Sequence, residues 1–170
     1  RTPEFPDSVY YTVGMALRMK KGGGTLLSLY NKLDLVFPQI YITLSNAGTT
    51  TTITVKRGGD NVTLGTYVYD FDDQWVYLEF EFAIAQATAV AYCNLYIDGE
   101  AVLTIDGVST AGIITSGANH VEFGGSTDNA ITGEFLMDDV YIAGGIRGSG
   151  AAALPPELLG NSVVQEVLPD

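Results

Sequence analysis

Carboxylates are the groups in this sequence best placed to do chemistry, and their spacing decides which chemistry is open to them. The stretch "GEFLMDDVYIAGG" sets Asp138 beside Asp139 in an apolar segment. Neighbours on a strand point to opposite faces, so these two cannot close on one substrate. A glycosidase needs two carboxyl groups on one face, about 5–10 Å apart. Glu79 and Glu81 in "LEFEF" have that parity. Their neighbours Val76, Leu78, Phe80 and Phe82 form a core face, so the two glutamates are expected on the polar outer side of a half-buried strand. Alternation places Leu136, Asp138, Val140 and Ile142 on one face of their strand and Met137, Asp139 and Tyr141 on the other. An unpaired carboxylate on the more apolar face would be costly. Asp138 is therefore expected to accept hydrogen bonds and fasten a loop, a structural role.

Other reactive arrangements are thin. His120 is the one histidine, and no G-x-S-x-G elbow is present, which argues against a serine triad. Cys93 is the one cysteine, so neither an internal disulfide nor a cysteine zinc cluster can form. It sits in an apparent strand and reads as a small buried hydrophobe. The loop carboxylates Asp70, Asp72, Asp73 and Asp106 are of the kind calcium uses, but no D-x-D-x-D-G loop frames them. No cofactor is expected, calcium being the one metal with suitable ligands in the chain. Gly22–Gly24 lacks the G-K-[ST] of a phosphate loop. Asn61-Val-Thr63 fits the glycosylation triplet, which matters only in a eukaryotic secreted protein. Tyr92, Asn94 and Tyr96 share one strand face, and Trp75 and Tyr77 share another with the glutamates. Rings can stack on sugars and amides can bind hydroxyls, so these five residues form a candidate glycan or partner face.

The elements that must position these residues are strands. Among 170 residues, ten tyrosines, seven phenylalanines and many valines and threonines favour strands over helices. Twenty glycines suit many short turns. Period-two alternation runs through "SVYYTVGMALRMK", "PQIYITLSN", "TTTTITVKR" and "QWVYLEFEFAIA". Asp98-Gly99 is a dipeptide suited to a tight hairpin turn. Roughly nine to eleven strands are expected, in an all-β antiparallel two-sheet jelly-roll sandwich. Residues 1–148 form the sandwich, and residues 149–170 a linker followed by a strand at Ser162–Leu168. That strand ends in proline, which suits a sheet edge or pairing with another chain.

With 8 basic and 20 acidic residues the net charge is −12, which repels a phosphate backbone and an anionic bilayer. Neither nucleic acid nor membrane is an expected partner. No apolar run reaches the length of a membrane span, and no signal peptide is visible.

Four stretches in order, "QWVYLEFEF", "CNLYIDGEAV", "HVEFGG" and "FLMDDVYIAG", resemble the laminin-G-like, concanavalin A-like lectin-glucanase jelly roll. In that family a tryptophan opens a strand, an L-Y-I-D-G hairpin follows, and an I-D-D-V strand comes after a glycine-ended one. The resemblance covers Trp75 to Gly145, with "VGMALRM" and "TLLSLYN" fitting earlier strands. Hydrolases of this family carry an E-x-D-x-x-E strand, which is missing here, so no enzyme is implied. Lectin-type calcium and sugar ligands do not carry over. The tail, "DDVYI" and then "LLGNSVVQEVLPD", is similar to laminin-G-like virion proteins of tailed bacteriophages. Leu159, Gly160, Val164 and Pro169 fill matching places, while Leu158 or Leu159 replaces the usual Phe and Asn161 the usual Asp. Such proteins have more chain before the segment matching Ser8–Lys20, which implies that an N-terminal part is lacking here. The resemblance implies a non-enzymatic virion component, a capsid decoration or tail protein, touching other virion proteins or copies of itself. Virion or extracellular localisation follows. Arg1–Asp7 and Ala151–Asp170 are the expected contact segments, because they lie outside the periodic core. A glycan-binding adhesion module is the alternative.

Overall fold

The computed structural model describes residues 9–31, 37–47, 49–112, 117–124 and 134–144. Ten strands lie among them: β1 (Tyr10–Lys21), β2 (Gly23–Tyr30), β3 (Ile40–Ala47), β4 (Thr50–Arg57), β5 (Thr63–Asp70), β6 (Trp75–Ala83), β7 (Tyr92–Ile97), β8 (Glu100–Asp106), β9 (His120–Phe123) and β10 (Glu134–Gly144). They form two five-stranded sheets, ordered β10-β1-β6-β7-β8 and β5-β4-β3-β2-β9, with antiparallel pairings throughout. This is the expected two-sheet jelly-roll sandwich. The expected strand at Ser162–Leu168 and the expected contact segments Arg1–Asp7 and Ala151–Asp170 lie outside the described residues.

Alternation explains the layers. In β1 every second residue, Tyr11, Val13, Met15, Leu17 and Met19, is buried. In β6 the same holds for Val76, Leu78, Phe80 and Phe82, whose two Phe rings stack at 5.9 Å. Ile40, Ile42 and Leu44 of β3 and Ile53 and Val55 of β4 close the core from the second sheet. Each such side chain contributes roughly 1.5–3 kcal/mol on burial. The sheets approach closely at the β5–β8 flank. A Cβ on Gly65 would lie 2.7 Å from Ile105 Cδ1, so a side chain larger than hydrogen would push against that contact. Across the core, the Tyr11 hydroxyl donates to the Ala118 carbonyl.

Two turns set the site's frame. Asp98 and Gly99 both take positive φ, +49° and +84°, as a two-residue hairpin of the primed type requires. The Asp98 side chain also accepts the Tyr77 N–H at 3.0 Å, and its own N–H donates to the Tyr77 carbonyl at 2.8 Å. The turn is thus fastened to β6.

Asp138 departs from expectation. The β1–β10 register runs Arg18↔Leu136, Leu17↔Met137, Ala16↔Asp138, and resumes only at Gly14↔Tyr141. Two residues of β10, Asp139 and Val140, therefore oppose the single Met15 of β1, a bulge in which Asp139 takes φ +49°. The extra residue reverses the parity beyond it. Phe135, Met137 and Ile142 pack toward the core, whereas Leu136, Asp138 and Tyr141 register with the outer-face residues of β1. Asp138 is exposed and accepts its bond from the Asp139 N–H at 2.9 Å. It caps the bulge rather than fastening a loop to the apolar side. Strict alternation missed this because it assumes an unbroken strand.

Candidate functional site

The outer face of the first sheet can be built row by row from the strand register. One row is Leu136, Arg18 and Trp75, and the next is Asp138, Ala16 and Tyr77. Then come Tyr141, Gly14, Glu79 and Tyr96, followed by Ala143, Thr12, Glu81, Asn94 and Thr104. Ala83, Tyr92 and Asp106 complete it on the far side of Tyr10. β6 is the middle strand of five, so Glu79 and Glu81 stand at the centre of the sheet. All five residues expected on a glycan or partner face, Trp75, Tyr77, Tyr92, Asn94 and Tyr96, fall on this one face.

Glu79 is not the solvated side chain expected. It is 1% exposed, and the Tyr141 hydroxyl donates to its Oε1 at 2.6 Å. Gly14 makes this possible: a Cβ there would stand 2.0 Å from Tyr141 Cε1, so the Tyr141 ring rests on bare backbone. The β10 bulge delivers Tyr141 to that spot. Alternation hid Tyr141 and Gly14 from the sequence reading, and nothing in "DDVYI" signals the extra residue.

Glu81 is half-buried and held from one side. The Tyr96 hydroxyl donates to Oε2 at 2.8 Å and the Asn94 amide donates to the same oxygen at 3.2 Å. Among the described residues none reaches Oε1. The Asn94 Oδ1 is itself buried without a partner, and so is the Tyr77 hydroxyl. Burial, with the Glu79 and Asp139 charges beside it, raises the Tyr77 phenol from 10.0 to about 12. Burial and the Glu81 hydrogen bond raise Tyr96 to about 12, and burial pushes Tyr92 up as well. All three phenols stay protonated at neutral pH. Trp75 is 48% exposed, so its ring is free to meet a ligand.

The remaining candidates do not join this face. Cys93 is buried beneath it on β7, and burial pushes its thiol up, away from nucleophile chemistry. His120 lies on β9 of the other sheet, 3.5 Å from Glu122 and edge-on to Tyr30. In the 70–73 loop Asp73 accepts two bonds from Arg18 at 2.9 Å, which hold its carboxyl below the usual range. Among the described residues no three His, Cys, Asp or Glu side chains converge as metal ligands. No described helix is long and apolar enough to cross a membrane.

No protein-family model matches the chain, and no curated protein matches it in sequence. Solved structures resemble it in fold. A heptameric SAP-like pentraxin from Limulus polyphemus superposes with a TM-score of 0.53 at 13% identity, over 84% of this chain and 71% of that one. Sheep galectin-11 in complex with glycerol gives 0.49 at 7% identity, over 84% and 95%. Domains LG4-5 of the mouse laminin alpha1 chain give 0.44 at 11%, over 81% and 36%. The chain has a concanavalin A-like jelly-roll fold. At such identity the pentraxin likeness extends to the fold and no further.

Proposed function

We propose that this protein is a non-enzymatic binding module that receives a glycan on the outer face of its first sheet. The observation that carries this is the set of Tyr92, Asn94, Tyr96 and Glu81, half-buried on one face, with Asn94 and Tyr96 fixed by their hydrogen bonds to Glu81 and Trp75 open at its end. Rings offer stacking surfaces to the C–H faces of a sugar, and the amide and carboxylate orient its hydroxyls. Hydrolysis fits poorly. A two-carboxylate mechanism needs both groups at the scissile bond, and Glu79 is sealed at 1% exposure under the Tyr141 contact. A glycan array, run with and without calcium, tests the reading. Binding that falls about fivefold in Trp75→Ala, the loss of ~1 kcal/mol of stacking, is expected; a blank array under both conditions overturns it.

A second reading rests on sequence alone. The Asp138–Tyr141 strand followed by Leu159, Gly160, Val164 and Pro169 supports a structural role in a phage-like particle, through contacts with other subunits. The two readings are compatible, since a decoration or tail protein can carry a glycan site. Purified particles that lack the chain would overturn the second.

A further inference from the structure

We propose that the ligand of this face is an amino sugar, held by its protonated amine between Glu81 and Asn94; this deepens the glycan reading and rests on it. The face is short of donors. Glu81 Oε1 has no donor among the described residues, and Asn94 Oδ1, directly across from Glu81 in the β6–β7 register, is buried without one. A third polar atom under the same face, the Tyr77 hydroxyl, is also unpartnered in a side chain 3% exposed. Buried polar atoms are nearly always satisfied, so the Asn94 and Tyr77 oxygens, beside the half-buried Glu81 carboxylate, mark a face that something other than the protein completes.

Charge narrows what that something is. Of the described cations, Arg18 is taken by Asp73, Lys20 by Glu134 and Arg57 by Asp60, while Lys56 lies over the Tyr41 ring of the other sheet. None compensates Glu81. An ammonium group supplies three donors and a positive charge in the space of one atom, and its bonds to a carboxylate are the stronger, charge-assisted kind. Tyr92 and Tyr96 stand two residues before and after Asn94 on the same strand face, where their rings flank a cation. An N-acetylated sugar brings a single N–H with no charge. A sulfated or carboxylated sugar is repelled by Glu81 and by a chain of net charge −12.

Calorimetry on the full chain with a glucosamine hexamer and an N-acetylglucosamine hexamer tests this. The amine form should bind at least tenfold tighter. Glu81→Gln should remove most of that preference. Thr104→Lys should do the same without touching a buried residue, because Thr104 is exposed on β8 opposite Asn94; it carries the test if Glu81→Gln fails to fold. Equal affinity for the two hexamers overturns the inference and leaves the glycan reading standing. Binding of neither hexamer overturns the inference, and a blank glycan array in addition overturns the reading beneath it. A lysine pentapeptide that binds as tightly as the glucosamine hexamer overturns the sugar as the source of the amine.

Discussion

A single missing side chain organises the centre of the first sheet. Gly14 leaves room for the Tyr141 ring, and Tyr141 in turn donates to a carboxylate that solvent barely reaches. Gly14→Ala should therefore lower stability by about 1–3 kcal/mol, by displacing a ring that has nowhere close to go. Tyr141→Phe should cost about 1.5–3 kcal/mol, because a hydrogen bond to a charged acceptor is lost while the acceptor stays buried. Urea unfolding of each variant measures both, and values within error of the parent would remove Glu79 from the structural account. Cys93 supplies a separate test. Its thiol is buried and held protonated, so an alkylating reagent should modify it only in denaturant, as mass spectrometry would read.

Turns and bulges, more than strands, decide which element carries which side chain outward. Gly99 has φ +84° and open space around its Cβ position. Gly99→Ala should thus cost about 1–2 kcal/mol from backbone strain alone, whereas Asp139, at φ +49°, should tolerate glycine and lose stability with valine. Thermal melts of the three variants separate these outcomes. The sequence made most of this level legible. Strand positions, the core faces of β1, β3 and β6, the Asp98-Gly99 turn and the shared face of Tyr92, Asn94 and Tyr96 all follow from period two and turn chemistry. Partnership across strands did not follow. That Glu81 would face Asn94, or that Tyr141 would reach Glu79, depends on register between segments 13 and 62 residues apart. Local pattern holds no information about such distances. The bulge at Asp139 was invisible for a related reason, since aspartate at positive φ looks like any other aspartate in a strand.

The whole molecule is acid-rich, yet its sharpest pH response should come at the alkaline end. Tyr77 and Tyr96 ionise near 10.0 when unfolded and about 12 when folded. A folded pKa above the unfolded one contributes stability that is complete below pH 10 and disappears as pH rises toward 12. Circular dichroism should show unfolding inside that window, coincident with phenolate absorbance; a fold that persists through full tyrosine ionisation would contradict it. At the acid end Arg57 and Arg18 hold Asp60 and Asp73 below the ordinary carboxylate value. Stability from these pairs is present above that value and is lost as pH falls through the folded one. Both pairs are exposed, so the effect should be small and weaken further in salt. The strand β10 finally sets a limit on how this chain can change. It is two short strands out of phase by one residue, joined at Asp139. Removing one of the two residues between Asp138 and Tyr141 would close the bulge, leaving Phe135, Met137 and Ile142 on the core face and Tyr141 opposite Gly14. Removing both would turn one half over, so that either Phe135 and Met137 or Ile142 faced water. Variation in length there is tolerated in one step and forbidden in the next.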